Sequence, residues 1–246
     1  MTVVLKLGGS VVTEKETPET VDDEALAAAA DAVAASDHDV VVVHGGGSFG
    51  HHHAAEYGVS TTEGTHDVAG VQAIHGAMTR LNSRIVTALT ERGVPAVPVH
   101  PLSAADRRAD GTLTLPTGQV RTLLSEGFVP VLHGDLVAHA GEGATVLSGD
   151  ELVVELAPAV DADRVGVCST VPGVLDEDGA VIDRIEAFED AAAALGGSDA
   201  TDVSGGMAAK VRALLELESP ASVFGPDALS AFLDGDAPGT TIEADR

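Results

Sequence analysis

Residues 40–53 read VVVVHGGGSFGHHH, and this stretch constrains the chain more than any other. Four consecutive valines form a β-branched run of the kind buried on both faces of a parallel sheet. His44 and the glycines Gly45, Gly46 and Gly47 follow at once, and a helical pattern opens at Ser48. Glycine lacks the Cβ that would hold an anion off the backbone, and a helix N-terminus presents free N–H groups to it. The stretch reads as an anion cradle, with a tight strand-to-helix turn that binds nothing as the plainer alternative. It is not a Walker A loop, because no Gly-Lys-Ser/Thr closes it, and Gly-x-Gly-x-x-Gly is out of register.

The same theme recurs at the N-terminus. Val3 to Leu7 reads as a strand that runs into Lys6-Leu7-Gly8-Gly9-Ser10, and Lys15 lies in the polar loop beyond. Further strands are expected at 39–43, 96–99, 128–132, 164–168, 222–224 and 240–243. Helices are expected at 22–36, 67–92, 117–126, 148–156, 188–195 and 227–233, with another carrying Lys210 and ending near Leu217. Residues 136–140 and 145–147 suggest a hairpin, and Asp178-Gly179 turns a smaller one. Strands alternating with helices predict an α/β three-layer sandwich, its sheet mostly parallel and covered on both faces. No repeat or linker divides residues 1–246, which read as one domain. On the long helix Val71, Ile74, Met78, Leu81, Ile85 and Leu89 form an apolar stripe: core, a dimer seam or a pocket wall.

Charge narrows the function. Asp and Glu number 39 against 13 Lys and Arg, a net charge of -26 spread along the chain. No basic face is left for nucleic acid or an anionic membrane. Such self-repulsion is relieved when molar salt shortens the Debye length to about 3 Å. With 2% aromatic residues and scarce lysine, the composition resembles that of proteins from salt-in halophiles. The single cysteine, Cys168, reads as a small buried hydrophobe and excludes an intrachain disulfide. The N-terminus has no signal-peptide pattern and no apolar run reaches a membrane span, so a soluble, cytoplasmic protein is expected.

Only three lysines occur, Lys6, Lys15 and Lys210, and all lie in or just after glycine-rich segments. In a chain this poor in lysine they read as phosphate contacts, since phosphoryl transfer needs aligned groups and neutralised charge. Other candidates weigh less. Successive helical residues point about 100° apart, so His51, His52 and His53 do not converge on one metal ion. His44 reads equally as a turn residue bonded to backbone, and His75 as a structural residue of the long helix.

Lys6-Leu7-Gly8-Gly9-Ser10, the Gly45–Gly47 turn, Ser148-Gly149-Asp150 and Asp202-Val203-Ser204-Gly205-Gly206-Met207 with Lys210 together resemble the amino acid kinase superfamily. They span nearly the whole chain. Within it, His44-Gly45-Gly46-Gly47-Ser48-Phe49-Gly50-His51 resembles the signature of the isopentenyl phosphate kinase family, the closing His51 being the distinctive residue. The resemblance implies transfer of the ATP γ-phosphate to isopentenyl phosphate, with Mg²⁺ on the nucleotide, in a homodimer of an archaeal mevalonate route. It implies that Lys6 and Lys15 stabilise the transferring group, that Asp150 orients the lysines, and that His51 hydrogen-bonds the acceptor phosphate. Gly46 and Gly149 would lie beside the acceptor. Gly8, Gly9, Ser10, Gly47, Thr170, Gly205 and Lys210 would lie on ATP. An acceptor lobe of about residues 1–160 and a nucleotide lobe of about 161–246 follow from it. Val71, Ile74, Val137 and Leu147 are expected to line a slot for the isoprenoid tail.

One segment departs from the superfamily. Its usual nucleotide loop is Thr-Asp-Val-Asp-Gly, whereas this chain has Ser169-Thr170-Val171-Pro172-Gly173, without either aspartate. A sister kinase acting on a carboxylate, carbamate or phosphonate, or an oxyanion-storage protein on the same fold, are the alternative readings.

Overall fold

The computed structural model describes residues 1–195 and 206–245. Strand β1 (Thr2–Leu7) turns directly into the short helix α1 (Gly9–Val12). Helix α2 (Asp23–Ala35) then leads to β2 (Asp39–His44), α3 (Gly47–Glu56), α4 (Val68–Thr90) and β3 (Ala96–Pro98). Two short strands follow, β4 (Asp106–Arg107) and β5 (Leu113–Thr114), then α5 (Gly118–Ser125) and β6 (Val129–His133). The hairpin β7 (Asp135–His139) and β8 (Gly143–Leu147) runs into α6 (Gly149–Ala159). The C-terminal part holds β9 (Arg164–Cys168), β10 (Arg184–Ile185), α7 (Ala192–Leu195) and α8 (Gly206–Leu215). It closes with β11 (Ala221–Phe224), α9 (Leu229–Leu233) and β12 (Thr240–Ile242).

Local chemistry sets the main boundaries. Asp22 accepts the Ala25 N–H at 3.0 Å to cap α2, and Asp67 accepts the Ala69 N–H at 2.9 Å to cap α4. A carboxylate there satisfies an orphan donor and opposes the helix dipole. Ser148 and Glu151 form a reciprocal capping box at the start of α6. The expected helix over 188–195 is instead a 3₁₀ turn, Phe188–Asp190, followed by α7.

Eight strands form the main sheet in the order β10-β12-β11-β9-β1-β2-β6-β3. All neighbouring pairs run parallel except β11 and β12. Alternation splits β1 and β2 between two cores. Val3, Leu5, Val40 and Val42 pack with α2, α4 and α9, while Val4, Val41 and Val43 pack with α5, α6 and α8. Val41 and Val42 are fully buried, each contributing roughly 1.5–3 kcal/mol by burial. A second sheet, β5-β4-β7-β8, lies beside the first. Its Leu136 and Ala144 close over Ala54 of α3 and Ile74 of α4 in a third apolar cluster.

Strand β1 lies between β2 and β9, whose connections leave on opposite sides, so a crevice opens at its carboxyl end. Two glycine turns meet there. A Cβ on Gly9 would overlap the Gly47 backbone, and Gly47 has φ +48° with Thr13 Oγ1 in the place of any side chain. Neither position admits another residue without moving a strand end.

Candidate active site

A cavity of about 530 Å³ occupies this crevice. Its cationic end is built by three elements. Lys6 projects from β1 on the α6 side, Lys210 comes from α8, and Asp150 in the first turn of α6 stands between them. The Asp150 carboxylate lies 2.6 Å from Lys6 Nζ and 3.1 Å from Lys210 Nζ. Burial pushes Lys6 down to about 8, against the pull of Asp150. Burial also opposes ionisation of Asp150, but Lys6 and Lys210 outweigh it and hold that carboxyl at about 2. The result is a preorganised group with two cations on one anion, a net positive charge beneath a strongly acidic surface. Gly149 leaves room beside it, since a Cβ there would stand 3.1 Å from Lys6 Cε and press on that side chain.

Gly8, Gly9 and Ser10 line the cavity with Ser169 and Thr170, as do Gly45, Gly46 and His51 from the second glycine turn. Lys15 overhangs the cavity from the loop after α1 and has no ion pair among the described residues. Of the residues read from sequence as site residues, Lys6, Lys15, Lys210, Asp150, His51, Gly8, Gly9, Ser10, Gly46, Gly149, Thr170, Ile74 and Leu147 come together here. Gly47 sits behind the wall, in the crossing of the two turns. Gly205 and the Asp202–Ser204 part of its motif lie outside the described residues.

The apolar end differs from expectation in two residues. Ile74 and Leu147 line it, whereas Val71, packed on the third cluster, and Val137, buried in the same core as Leu147, are not among the lining residues. Position along the strand is the cause: Val137 shares a face with Asp135 and Leu147, but it sits two residues beyond Asp135, opposite Thr145 and farther from the cavity. Ala54, Met78 and Val146 complete the wall instead. Met78 belongs to the apolar stripe of α4, one helical turn beyond Ile74, so the i, i+4 spacing pointed to it. It fits there because Gly50 leaves room: a Cβ at 50 would meet Met78 Sδ at 2.8 Å.

Histidines cluster at the ends of β2 and β6. His44 and His133, at the ends of β2 and β6, are fully buried and stack with ring centroids 5.5 Å apart. Burial lowers each to about 4, so both are neutral. Their Nδ1–H groups donate to the Gly45 and Gly134 carbonyls, and His133 Nε2 accepts from His100 Nδ1 at 2.8 Å. His44 Nε2 faces the Asn82 amide at 3.2 Å. His44 is thus a turn residue bonded to backbone. His75 pairs with the buried carboxylate of Asp135 at 2.8 Å, and Asp135 lines the cavity. Asp135 is not among the site residues expected from the sequence. Cys168 is buried, and burial pushes its thiol up to about 12.

Ligand atoms of His52, His53 and Glu56 lie within 4.8 Å of one another, a spacing that suits a metal ion. Both ring nitrogens of His53 are already engaged, Nε2 by Glu19 and Nδ1 by Glu56. Among the described residues no helix is long and apolar enough to cross a membrane.

The sequence profile of the amino acid kinase family matches residues 1–219. The isopentenyl phosphate kinase of Haloferax volcanii is 68% identical over 245 residues, covering 99% of both chains. That of Methanothermobacter thermautotrophicus is 34% identical, covering 87% of this chain and 86% of its own. A solved isopentenyl phosphate kinase structure superposes with a TM-score of 0.84 at 27% identity, over 98% of this chain and 99% of that one. Carbamate kinase from Giardia lamblia shares the fold at a TM-score of 0.69 and 16% identity, covering 99% and 98% of the two chains. The chain therefore belongs to the amino acid kinase family, within its isopentenyl phosphate kinase branch.

Proposed function

We propose that the protein transfers the γ-phosphoryl group of ATP to isopentenyl phosphate, giving isopentenyl diphosphate and ADP. One observation carries this reading: a single cavity joins the cations Lys6, Lys15 and Lys210 to an apolar wall of Ala54, Ile74, Met78 and Leu147, with His51 between. The cations and glycine-turn amides suit phosphates, and the wall suits a short hydrocarbon tail. A carboxylate or carbamate acceptor would make no use of that wall.

An oxygen of the acceptor phosphate attacks the γ-phosphorus, the bond to the β–γ bridging oxygen breaks, and ADP leaves with the electron pair. The acceptor oxygen is already ionised, so no base has to take a proton. Catalysis rests on alignment and on charge neutralisation as the phosphoryl group passes between donor and acceptor. Lys6 and Lys15 would contact the transferring group and Lys210 the ATP phosphates. His51 and the Gly46 amide would hold the acceptor. Asp150 touches no substrate in this scheme: it positions two lysines.

Mg²⁺ enters as part of the nucleotide substrate. Among the described residues the carboxylates lining the cavity are engaged, Asp150 by two lysines and Asp135 by His75, and the ion would neutralise charge on the nucleotide phosphates. The acceptor lobe would span about residues 1–160 and the nucleotide lobe about 161–246. A homodimer working in a salt-rich cytoplasm is the assembly and setting we favour, the latter on the net charge of -26.

The test is ADP release from MgATP in molar KCl with isopentenyl phosphate, acetylglutamate, carbamate, UMP or no acceptor. Turnover with isopentenyl phosphate alone is expected. Turnover with another acceptor would keep the fold and overturn the substrate.

A further inference from the structure

Lys15 is exposed, and the six residues around it, Glu16 to Thr20 with Glu14, form a loop closed at its base by the antiparallel bridge between Thr13 and Val21. The base is firmly held. Thr13 Oγ1 donates to the Gly9 carbonyl at 2.9 Å and accepts the Ser48 N–H at 3.1 Å. Beyond it, Ser48 Oγ accepts the Thr20 N–H at 3.4 Å and donates to the Thr20 carbonyl at 3.3 Å, but the loop's own side chains make few ties. Glu14, Lys15 and Glu16 make no ion pair among the described residues, and Thr20 Oγ1 bonds only within the loop, to the Pro18 carbonyl.

Glu19 is the exception. Its carboxylate reaches two helices of the acceptor wall at once. Oε1 accepts from His53 Nε2 of α3 at 2.7 Å, and Oε2 accepts from Arg80 of α4, at 2.6 Å from Nη2 and 3.1 Å from Nε. Its own N–H donates to the Ser48 carbonyl at 3.3 Å. The residue pays for this with a left-handed backbone, φ +49°, which non-glycine residues seldom adopt. Such a conformation persists where its surroundings over-determine it. The His53 hydrogen bond, followed by Arg80, holds the carboxyl below its ordinary range, so it is ionised at neutral pH. Glu19 does not line the cavity.

We infer that Glu19 is a positioning residue for phosphoryl transfer: its carboxylate, gripped by His53 and Arg80, fixes the loop that carries Lys15 over the cavity. Glu19 thereby acts on the transferring group only through Lys15. The inference rests on the proposed role of Lys15 at that group. It explains why a strained, charged residue stands where glycine would be easier: glycine would free the backbone but keep only the bonds to Ser48, losing the tie to His53 and Arg80. It also gives His53 and Arg80 a purpose in a site neither of them lines.

A double-mutant cycle tests this, with steady-state kinetics in molar KCl on the wild type, Glu19→Gln, Lys15→Ala and the double variant. Glu19→Gln keeps the side-chain size and removes the charge. It should lower kcat by about 10- to 100-fold, the scale for a misplaced catalytic group, with a smaller change in either KM. In the Lys15→Ala background the same substitution should have no further effect. Equal loss in both backgrounds would mean a general structural role and would overturn the inference, as would full activity of Glu19→Gln. Full activity of Lys15→Ala alone would instead overturn the reading of Lys15, and with it the role of Glu19. Arg80→Ala, on an exposed side chain, supplies a second route into the cycle if Glu19→Gln does not fold. Its expected pattern is the same loss of kcat, absent when Lys15 is already alanine.

Discussion

Lys6 Nζ lies 2.6 Å from the Asp150 carboxylate, on a β-strand and a helix 144 residues apart in sequence (150 less 6). This contact sets the charge state of the cationic end, because Asp150 opposes the burial that pushes Lys6 down to about 8. Lys6 is useful to a phosphate only while protonated. The kcat/KM for MgATP should therefore fall as pH rises through about 8, since that ratio reports the free enzyme. In Lys6→Arg the alkaline limb should flatten, because guanidinium keeps its proton. In Asp150→Asn it should move to lower pH, with Lys6 left buried and uncompensated. A pH–rate profile of the three proteins checks both shifts.

Removing a lysine outright should cost more than shifting its proton. Lys6→Ala and Lys15→Ala are each expected to lower kcat by roughly 10²–10³-fold, the scale for losing one transition-state donor. A loss confined to KM would mark uniform binding of ground and transition states instead. Single-turnover measurements at saturating MgATP separate the two.

The lysines were legible in the sequence, and for a physical reason. An acidic chain with only three of them, at 6, 15 and 210, has few cations to place, and all three line the same cavity. The glycine turns were equally plain, since consecutive glycines after a valine run declare a backbone that something must approach. What tertiary packing decides was hidden. Strands of two residues, 106–107 and 113–114, have no periodicity to detect. Val137 shares a face of the hairpin with Leu147 yet stops short of the cavity, because the pairing sets it opposite Thr145 rather than opposite Leu147. Asp135 and His75 stand 60 residues apart, and only the packing of α4 on β7 joins them. Glu19 gave no signal at all, as one glutamate among many.

The apolar wall makes a separate prediction. Met78→Ala or Ile74→Ala should enlarge the tail end of the cavity and admit longer isoprenyl phosphates, raising their kcat/KM relative to isopentenyl phosphate. Val137→Ala should destabilise the protein, by about 1 kcal/mol or more as a core truncation, without altering chain-length preference. Kinetics with a ladder of prenyl phosphates distinguishes wall from core.

The His75–Asp135 pair bears on stability. Its hydrogen bond to Asp135, against partial burial, raises the His75 value above that of a free histidine. A raised folded-state value stabilises fully at pH below the unfolded histidine range and less as pH climbs through the folded one. The Tm difference between wild type and His75→Gln should therefore be larger at about pH 5.5 than at about pH 8.5. Equal differences at both would remove the ion pair from the account.

Salt should act on the whole molecule. With a net charge of -26, Tm is expected to rise steeply from about 0.1 M to about 1 M KCl as the Debye length shrinks from about 10 Å to about 3 Å. A thermal scan across KCl concentrations reads this directly, and a flat response would argue against adaptation to salt.

The central claim is that one phosphate becomes the acceptor for another. Phosphorus NMR of a reaction holding MgATP, isopentenyl phosphate and the wild-type protein in molar KCl tests it most directly. The account predicts that the acceptor's single resonance gives way to the two coupled resonances of a diphosphate ester while ADP accumulates in equal amount, and that Lys6→Ala greatly slows both. Formation of ADP and inorganic phosphate with the isopentenyl phosphate signal untouched would contradict it.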